Sequence, residues 1–219
     1  ILQSTVRINE LTQLANELEM PAVCITDYNN LMGSFHFLKS LENINKKNKS
    51  ENKKTLKPII GITLNVCEDH LDKSRRDDGY QIVFIAKNKK GYKNLSKLSS
   101  LAYTKGFYYV PRVDKNLVLN FKEDLIVLTG NTYGEVSSKL HNIGEKQAEE
   151  SLLWWNKHFK DDLYIEIMRH NLEDENRINP VLIKFSAKHK IKLVATNSVF
   201  YLTKEQANSH DILSVSYTH

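Results

Sequence analysis

Cysteine, proline and glycine are scarce in this sequence, and long apolar runs are missing. Its 219 residues include 2 cysteines, 4 prolines and 8 glycines. Cys24 and Cys67 each lie in an apolar, strand-like context, so both are predicted to be buried thiols in a reducing compartment. No apolar run approaches the ~20 residues that span a bilayer, and no signal peptide is visible. We therefore expect a cytoplasmic protein without a membrane partner.

Familiar catalytic motifs and domain linkers are missing as well. There is no Gly-rich phosphate loop and no Gly-x-Ser-x-Gly nucleophile elbow. No segment rich in Gly, Pro or Ser divides the chain, and its 41% hydrophobic and 26% charged content is ordinary for a globular protein. We expect a single domain over residues 1–219. Because the sequence begins with Ile1, we expect it to be part of a longer polypeptide.

The net charge of +5 is compatible with nucleic acid nearby but does not require it. Much of the excess lies in the run KKNKSENKK (46–54), which favours a solvated loop over a phosphate-binding patch. A second group of lysines favours a solvated helix face, with proximity to DNA as the alternative: Lys87, Lys89, Lys90, Lys93 and Lys97.

Helical and strand patterns alternate along the chain. Helical spacing is seen in 7–20 (with Ser4 or Thr5 as N-cap), 33–44, 91–103, 145–159 and 204–213. Apolar strands are predicted at 21–26, 57–67, 80–87, 124–130, 162–168 and 191–197. Most of these strands are apolar on both faces, which favours a parallel sheet covered by helices, either a barrel or a doubly wound sheet. Pro180 should kink the helical segment around it, or mark its start.

The residues after the predicted strands are polar and should form the rim of a pocket, since ligand sites gather at the carboxyl ends of parallel strands. A metal cluster needs several His and carboxylate ligands there, and the rim offers only Asp27 and His170. Asp27 is as well explained as a turn or cap residue, and a hydrogen-bonded structural role is favoured for His170. No recognisable metal-binding spacing surrounds the other histidines: His36, His70, His141, His158, His189, His210 and His219.

One long segment is highly distinctive: AKNKKGYKNLSKLSSLAYTKGFYYVPRVD (86–114). Together with MPAVCITDYNNLMG, KPIIG, YIEIMRHN, KLVATNSVFYLT and HDIL, it resembles the PHP (polymerase and histidinol phosphatase) domain of the bacterial DNA polymerase III alpha subunit, a C-family replicative polymerase. The resemblance covers essentially the whole chain. It implies an α/β fold, a distorted (βα)7-type barrel with about seven βα units, lacking its first strand in this segment.

The resemblance also implies metal-binding positions, most of which are altered here. The family's Leu-Asp-Gly appears as Leu2-Gln3-Ser4, and its Thr-Asp-His as Thr26-Asp27-Tyr28. Thr63, Gln81 and Asn131 stand where the family has Glu, His and Cys. The final Asn-Asp-Val-His appears as Asn197-Ser198-Val199-Phe200, whereas the Arg-His pair is kept as Arg169-His170. Only Asp27 and His170 retain metal-binding chemistry, so the sequence predicts a vestigial metal shell with no catalytic residues and no expected cofactor.

Three functional hypotheses follow. The leading one is a catalytically silent domain that supports the polymerase core, docks the proofreading exonuclease subunit and meets DNA only indirectly; the parent chain would be a DNA-directed DNA polymerase. The alternative is an active metal-dependent phosphoesterase or 3′–5′ exonuclease, in which Asp27 and His170 join upstream histidines around zinc or manganese. The third is a free-standing nucleic-acid-binding module.

Overall fold

The computed structural model describes residues 4–217, with side-chain placement given as far as residue 214. The chain forms two compact units. Unit 1 consists of Ile1–Ile25, Met32–Ile59 and Asn197–His219, and unit 2 of Thr26–Leu31 and Ile60–Thr196. A single domain over residues 1–219 stays a prediction.

Helices and strands alternate along the described chain, as the sequence predicts. The strands are β1 (Ala22–Ile25), β2 (Lys57–Cys67), β3 (Tyr80–Ala86), β4 (Arg112–Asp114), β5 (Leu125–Leu128), β6 (Leu163–Ile167) and β7 (Lys192–Ala195). The helices are α1 (Ile8–Glu17), α2 (Gly33–Ser50), α3 (Lys89–Thr104), α4 (Lys115–Asn120), α5 (Glu135–Asn142), α6 (Glu145–Phe159), α7 (Glu173–His189) and α8 (Ala207–Tyr217). Among the described helices, none combines the length and apolar character needed to cross a membrane.

Unit 1 is built around helices α1 and α2. The buried Thr12 hydroxyl lies 2.7 Å from the Ser40 hydroxyl, and Asn48 donates a 2.6 Å hydrogen bond to Asn16. These two contacts join α2 to the middle and to the carboxyl end of α1. Phe37 and Leu41 are fully buried on the inner face of α2, so an apolar stripe and two polar pairs fix the helix pair.

Unit 2 contains a mixed sheet with the strand order β2-β3-β5-β6-β7, and β4 pairs with β2. β3 runs antiparallel to β2 and β5, whereas the pairs β2–β4, β5–β6 and β6–β7 are parallel. The prediction of a wholly parallel sheet is therefore wrong at β3. The chain between β2 and β3 is a loop without a helix, and a parallel return would need a longer crossover.

The core of unit 2 lies between the sheet and its helices. Fully buried side chains from the strands, such as Ile62 and Phe84, meet Leu98 of α3 and Trp155 of α6 in one cluster. The Phe84 and Trp155 ring centroids are 6.2 Å apart. This apolar packing holds the strand ends in place, and the polar residues that follow them are positioned by it.

Three local predictions about helices need correction. Helix α1 has Arg7 as its N-cap residue, so Ser4 and Thr5 are not its caps. Their hydroxyls donate to the Phe200 carbonyl at 2.9 and 3.2 Å. Helix α2 extends through Ser50, so the first part of the basic run is helical. Lys46 pairs with Glu42 one turn earlier, which supports this extension.

Helix α7 runs through Pro180, which is exposed, so a helix start at residue 180 is wrong. The helix begins at Glu173 and has three acidic residues in its first turn, where negative charge complements the helix dipole. The cysteine prediction is half correct: Cys67 is buried, and Cys24 is exposed.

Candidate functional site

The loop after β1 is tied to β2 within unit 2. The Thr63 amide donates to the Asp27 carbonyl at 3.0 Å, and the Asn29 amide donates to the Thr63 carbonyl at 2.8 Å. Asn29 adopts a left-handed backbone conformation with φ +61°, which Asn tolerates better than most residues. These bonds place Asp27 and Tyr28, which follow the carboxyl end of β1, beside Thr63. The residues that follow the carboxyl ends of the strands are called the carboxyl edge.

Tyr28 occupies the position at which the resemblance predicts a lost histidine. Its hydroxyl hydrogen-bonds the Asn131 side chain, and burial together with the nearby Glu166 carboxyl raises its pKa. Asn131 also accepts a 2.8 Å hydrogen bond from the Tyr133 amide. A neutral phenol paired with a neutral amide stabilises this edge without a cation.

Gln81 and Glu166 bring two orphaned acceptors to the same part of unit 2. Gln81 Oε1 and Glu166 Oε2 are buried and have no hydrogen-bond partner among the described residues. Glu166 is 4% exposed, and Thr196 donates to its other oxygen at 2.5 Å. Burial raises the pKa of Glu166, and the hydrogen bond from Thr196 opposes this rise. This carboxyl is therefore stabilised in its neutral, protonated form.

His170 forms a histidine–carboxylate pair with Glu175. The His170 Nδ1 atom lies 2.6 Å from Glu175 Oε1, and its amide donates to Glu175 Oε2 at 2.5 Å. Burial opposes ionisation of Glu175, but these bonds and the Leu172 amide together lower its pKa. A carboxylate in this position fixes the ring orientation of a histidine, in metal sites and in structural pairs alike.

The structure brings together some of the sequence-predicted site residues. Tyr28 pairs with Thr63 and bonds Asn131, all in unit 2, whereas Ser198 and Phe200 belong to unit 1. Phe200 stacks on His210 with the ring centroids 5.3 Å apart, and Gln3 lies outside the described residues. Sequence reasoning missed Glu166 and Glu175. The position of Glu166 within an apolar strand is the sequence signal that could have identified it as a buried polar group.

The described donors do not fit a metal cluster at this edge. Besides Asp27 and His170, the positions in unit 2 that are predicted to be lost ligands offer a phenol, a hydroxyl and two amides, which are poor partners for zinc or manganese at neutral pH. Within residues 4–217, three metal-ligating side chains converge only at Asp69, His70 and Asp114, which are different residues from the predicted shell.

The lysines on and before α3 are partly neutralised. Lys87 donates to Asp162 at 2.8 Å, and Lys90 lies 3.5 Å from Asp124. The Lys97 ammonium lies over the Phe121 ring at 5.6 Å. These contacts favour the solvated-face interpretation over a dedicated DNA contact.

Comparisons with known proteins agree on the family. The model of the PHP domain family matches residues 1–170. The chain is 34% identical to the DNA polymerase III subunit alpha of Campylobacter jejuni and 37% identical to that of Aquifex aeolicus, in each case over 97% of this chain and 18% of the relative. The chain thus spans less than a fifth of the length of these relatives.

A solved structure shares the fold. It is a proposed metal-dependent phosphoesterase from Bifidobacterium adolescentis, with a TM-score of 0.56 over 92% of this chain and 85% of that protein. The two sequences are 11% identical, so the likeness concerns the fold alone. It confirms the predicted α/β fold class of the distorted barrel type.

Proposed function

Since this chain belongs to the PHP domain family, we propose that it is the PHP domain of a bacterial DNA polymerase III alpha subunit and that it has lost metal-dependent catalysis. The relatives named DNA polymerase III subunit alpha, matched over 97% of this chain, support the first part. The parent protein is accordingly proposed to be a DNA-directed DNA polymerase. The small share of each relative that the chain covers suggests that polymerase chemistry lies in other segments.

The proposal of catalytic silence rests on the side chains available as metal ligands at the carboxyl edge. A cluster of two or three ions needs many charged ligands, and neutral side chains stand at Tyr28, Thr63, Gln81 and Asn131. Burial raises the pKa of Glu166, which opposes a negative charge on this carboxyl. The edge is held by hydrogen bonds between neutral groups, which is the arrangement expected after a cluster is lost.

The proposed role is structural: the domain braces the polymerase core and docks the proofreading exonuclease subunit. Unit 2 offers exposed aromatic rings on and after α3, where Tyr103 and Phe107 stack at 6.5 Å and Tyr109 is 61% exposed. Large aromatic side chains are frequent anchors of protein interfaces. These rings are therefore the first surface to test for subunit binding.

Metal content tests catalytic silence directly. A protein extended upstream to include the family's first strand should be purified without chelator, loaded with manganese or zinc, and analysed by mass spectrometry beside His170→Ala. We expect the metal content of the two proteins to be the same. An ion present in the parent protein and absent from His170→Ala would refute catalytic silence.

Subunit docking needs a separate measurement. The exonuclease subunit should co-elute with the intact polymerase chain in gel filtration, and Phe107→Ser with Tyr109→Ser should weaken this binding. Leu153→Ser removes a similarly exposed apolar side chain from α6 and serves as the matched control. Unchanged binding after removal of the whole domain would contradict the docking role.

One observation favours the active phosphoesterase as a second candidate. Glu175 orients the His170 ring as a carboxylate orients a metal-ligating histidine, and two retained ligands suit a single ion better than a cluster. The zinc or manganese would then be held by Asp27, His170 and residues upstream. Manganese-stimulated removal of DNA 3′ ends, abolished by His170→Ala, would establish this activity; we expect no such cleavage.

A further inference from the structure

A second group of metal-ligating side chains lies in unit 2, on the loop formed by residues 68–79 and at the end of β4. Asp69, His70 and Asp114 each offer a ligand atom, and these atoms lie within 4.8 Å of one another. Asp69 is exposed, His70 is half-buried and Asp114 is buried. We propose that Asp69, His70 and Asp114 form a binding site for a single zinc-type divalent ion that fastens the 68–79 loop to β4.

The backbone orients both carboxylates through one oxygen each. Asp69 Oδ1 accepts the Leu71 amide at 2.8 Å, and Asp114 Oδ1 accepts the Leu117 amide at 2.8 Å. The second oxygen of Asp69 is not used by its turn, whereas Asp114 Oδ2 accepts the His70 amide at 3.4 Å and lies 2.5 Å from His70 Nδ1. Outer hydrogen bonds of this kind hold the ligands of metal sites in position.

The ligand set matches zinc better than calcium or magnesium. One imidazole nitrogen and two carboxylate oxygens suit a tetrahedral zinc whose fourth position holds water, whereas calcium and magnesium favour oxygen ligands alone. The surroundings are negative, since residues 68–79 with Arg112 and Asp114 carry six carboxylates and four cationic groups. The field at the site therefore attracts a cation.

The loop is already held close to β4 before any ion binds. Arg112 is fully buried, and its guanidinium donates to the carbonyls of Gly106 at 3.1 Å, Asp77 at 3.0 Å and Asp72 at 2.9 Å. The ion would therefore bind to a largely ordered loop, which lowers the entropy cost of forming the site.

Binding requires one local change. His70 Nδ1 and Asp114 Oδ2 lie 2.5 Å apart, at hydrogen-bond distance. Two ligands at about 2.0–2.1 Å from a tetrahedral zinc lie roughly 3.3 Å apart, so the atoms must separate by less than about 1 Å. The ion would take the place of the hydrogen bond between these two side chains.

The test is zinc titration of the purified chain by competition with a chromophoric chelator. We expect one ion per chain, binding at least tenfold weaker in Asp69→Asn, and no binding in His70→Ala. Asp69→Asn keeps the amide oxygen that caps the Leu71 turn, so its fold is preserved. The matched control is His141→Ala, because His141 pairs with the single carboxylate of Asp174 at 3.2 Å, and its zinc binding should be unchanged.

Limited trypsin digestion provides a readout of the loop itself. The exposed Arg75 and Arg76 are cleavage sites within the loop, and zinc should slow cleavage there in the parent chain and not in Asp69→Asn. The absence of stoichiometric zinc, or zinc retained in His70→Ala, would overturn the proposal. Zinc lost in His170→Ala and kept in His70→Ala would place the ion at the family's edge and would refute catalytic silence as well.

Discussion

Replacing Glu166 with glutamine should stabilise the protein relative to the parent as the pH rises. Glu166 is 4% exposed, and one of its carboxyl oxygens has no partner among the described residues. Because burial raises its pKa, the folded state holds a proton that the unfolded chain releases near pH 4.3. The stability contributed by this proton is complete below that pH and is lost as the pH rises through the folded-state pKa.

The size of the effect follows from the cost of an unpaired buried oxygen. A buried polar group without a partner costs about 1–3 kcal/mol, and more when it is charged. Gln keeps the shape and the acceptor for Thr196 and cannot ionise. At pH 5 the free energies of unfolding of Glu166→Gln and the parent should agree within about 1 kcal/mol, and at pH 8 the variant should gain about 1–3 kcal/mol.

Urea denaturation of each variant and the parent at pH 4, pH 5 and pH 8 measures these differences. Glu135→Gln is the matched control, because its stability relative to the parent should change with pH in the opposite direction. Burial opposes the ionisation of Glu135, but Lys115 and Lys139 together lower its pKa, and Lys115 lies 2.8 Å away. Glu135→Gln should therefore be more destabilising at pH 8 than at pH 4. If Glu166→Gln changes stability equally at pH 5 and pH 8, the raised pKa of Glu166 is refuted.

Three further substitutions test the described contacts. Arg112→Lys should lower the free energy of unfolding measured in urea by about 2–4 kcal/mol, because Lys cannot reproduce the forked donors of the guanidinium. It should also speed tryptic cleavage of the 68–79 loop, and unchanged cleavage would contradict the anchoring role of Arg112. Gly130→Ala should lower the melting temperature and the yield of folded protein. Gly130 has φ +85°, and an added Cβ would lie 2.1 Å from the Gln81 carbonyl oxygen. A melting temperature equal to that of the parent would refute this clash. Tyr28→Phe should lower the free energy of unfolding by about 1 kcal/mol, because it removes the hydrogen bond to Asn131. An unchanged free energy of unfolding would show that this bond does not stabilise the fold.

Much of the fold could be predicted because long apolar patterns dominate it. Strand β2 and helix α6 have the predicted bounds, 57–67 and 145–159. The missed elements are β4, α4 and α5, which have 3, 6 and 8 residues. Segments of this length contain too few turns or alternations to establish a period. Their positions are set by packing in unit 2, which local patterns do not reveal.

The candidate site could be predicted only in part. The polar residues after the strands identify Asp27 and His170, and the resemblance identifies the neutral replacements around them. The His70–Asp114 pair could not be found, because its members are 44 residues apart and no short-range spacing records the contact. Glu175 was missed since its carboxylate turns back from the first turn of α7 to His170, and an acidic residue at a helix start is ordinarily explained by the helix dipole.

The contacts of Arg112 have a consequence for how the 68–79 loop can vary. Among the described residues, its guanidinium donates to the main-chain carbonyls of Gly106, Asp77, His70 and Asp72. A main-chain carbonyl is present whatever side chain the residue carries, so these four contacts do not depend on the side chains of the residues that accept them. Exposed positions such as Lys73 and Arg75 can therefore accept new side chains without moving the backbone. The loop is a suitable place to introduce a spectroscopic label or a short peptide epitope.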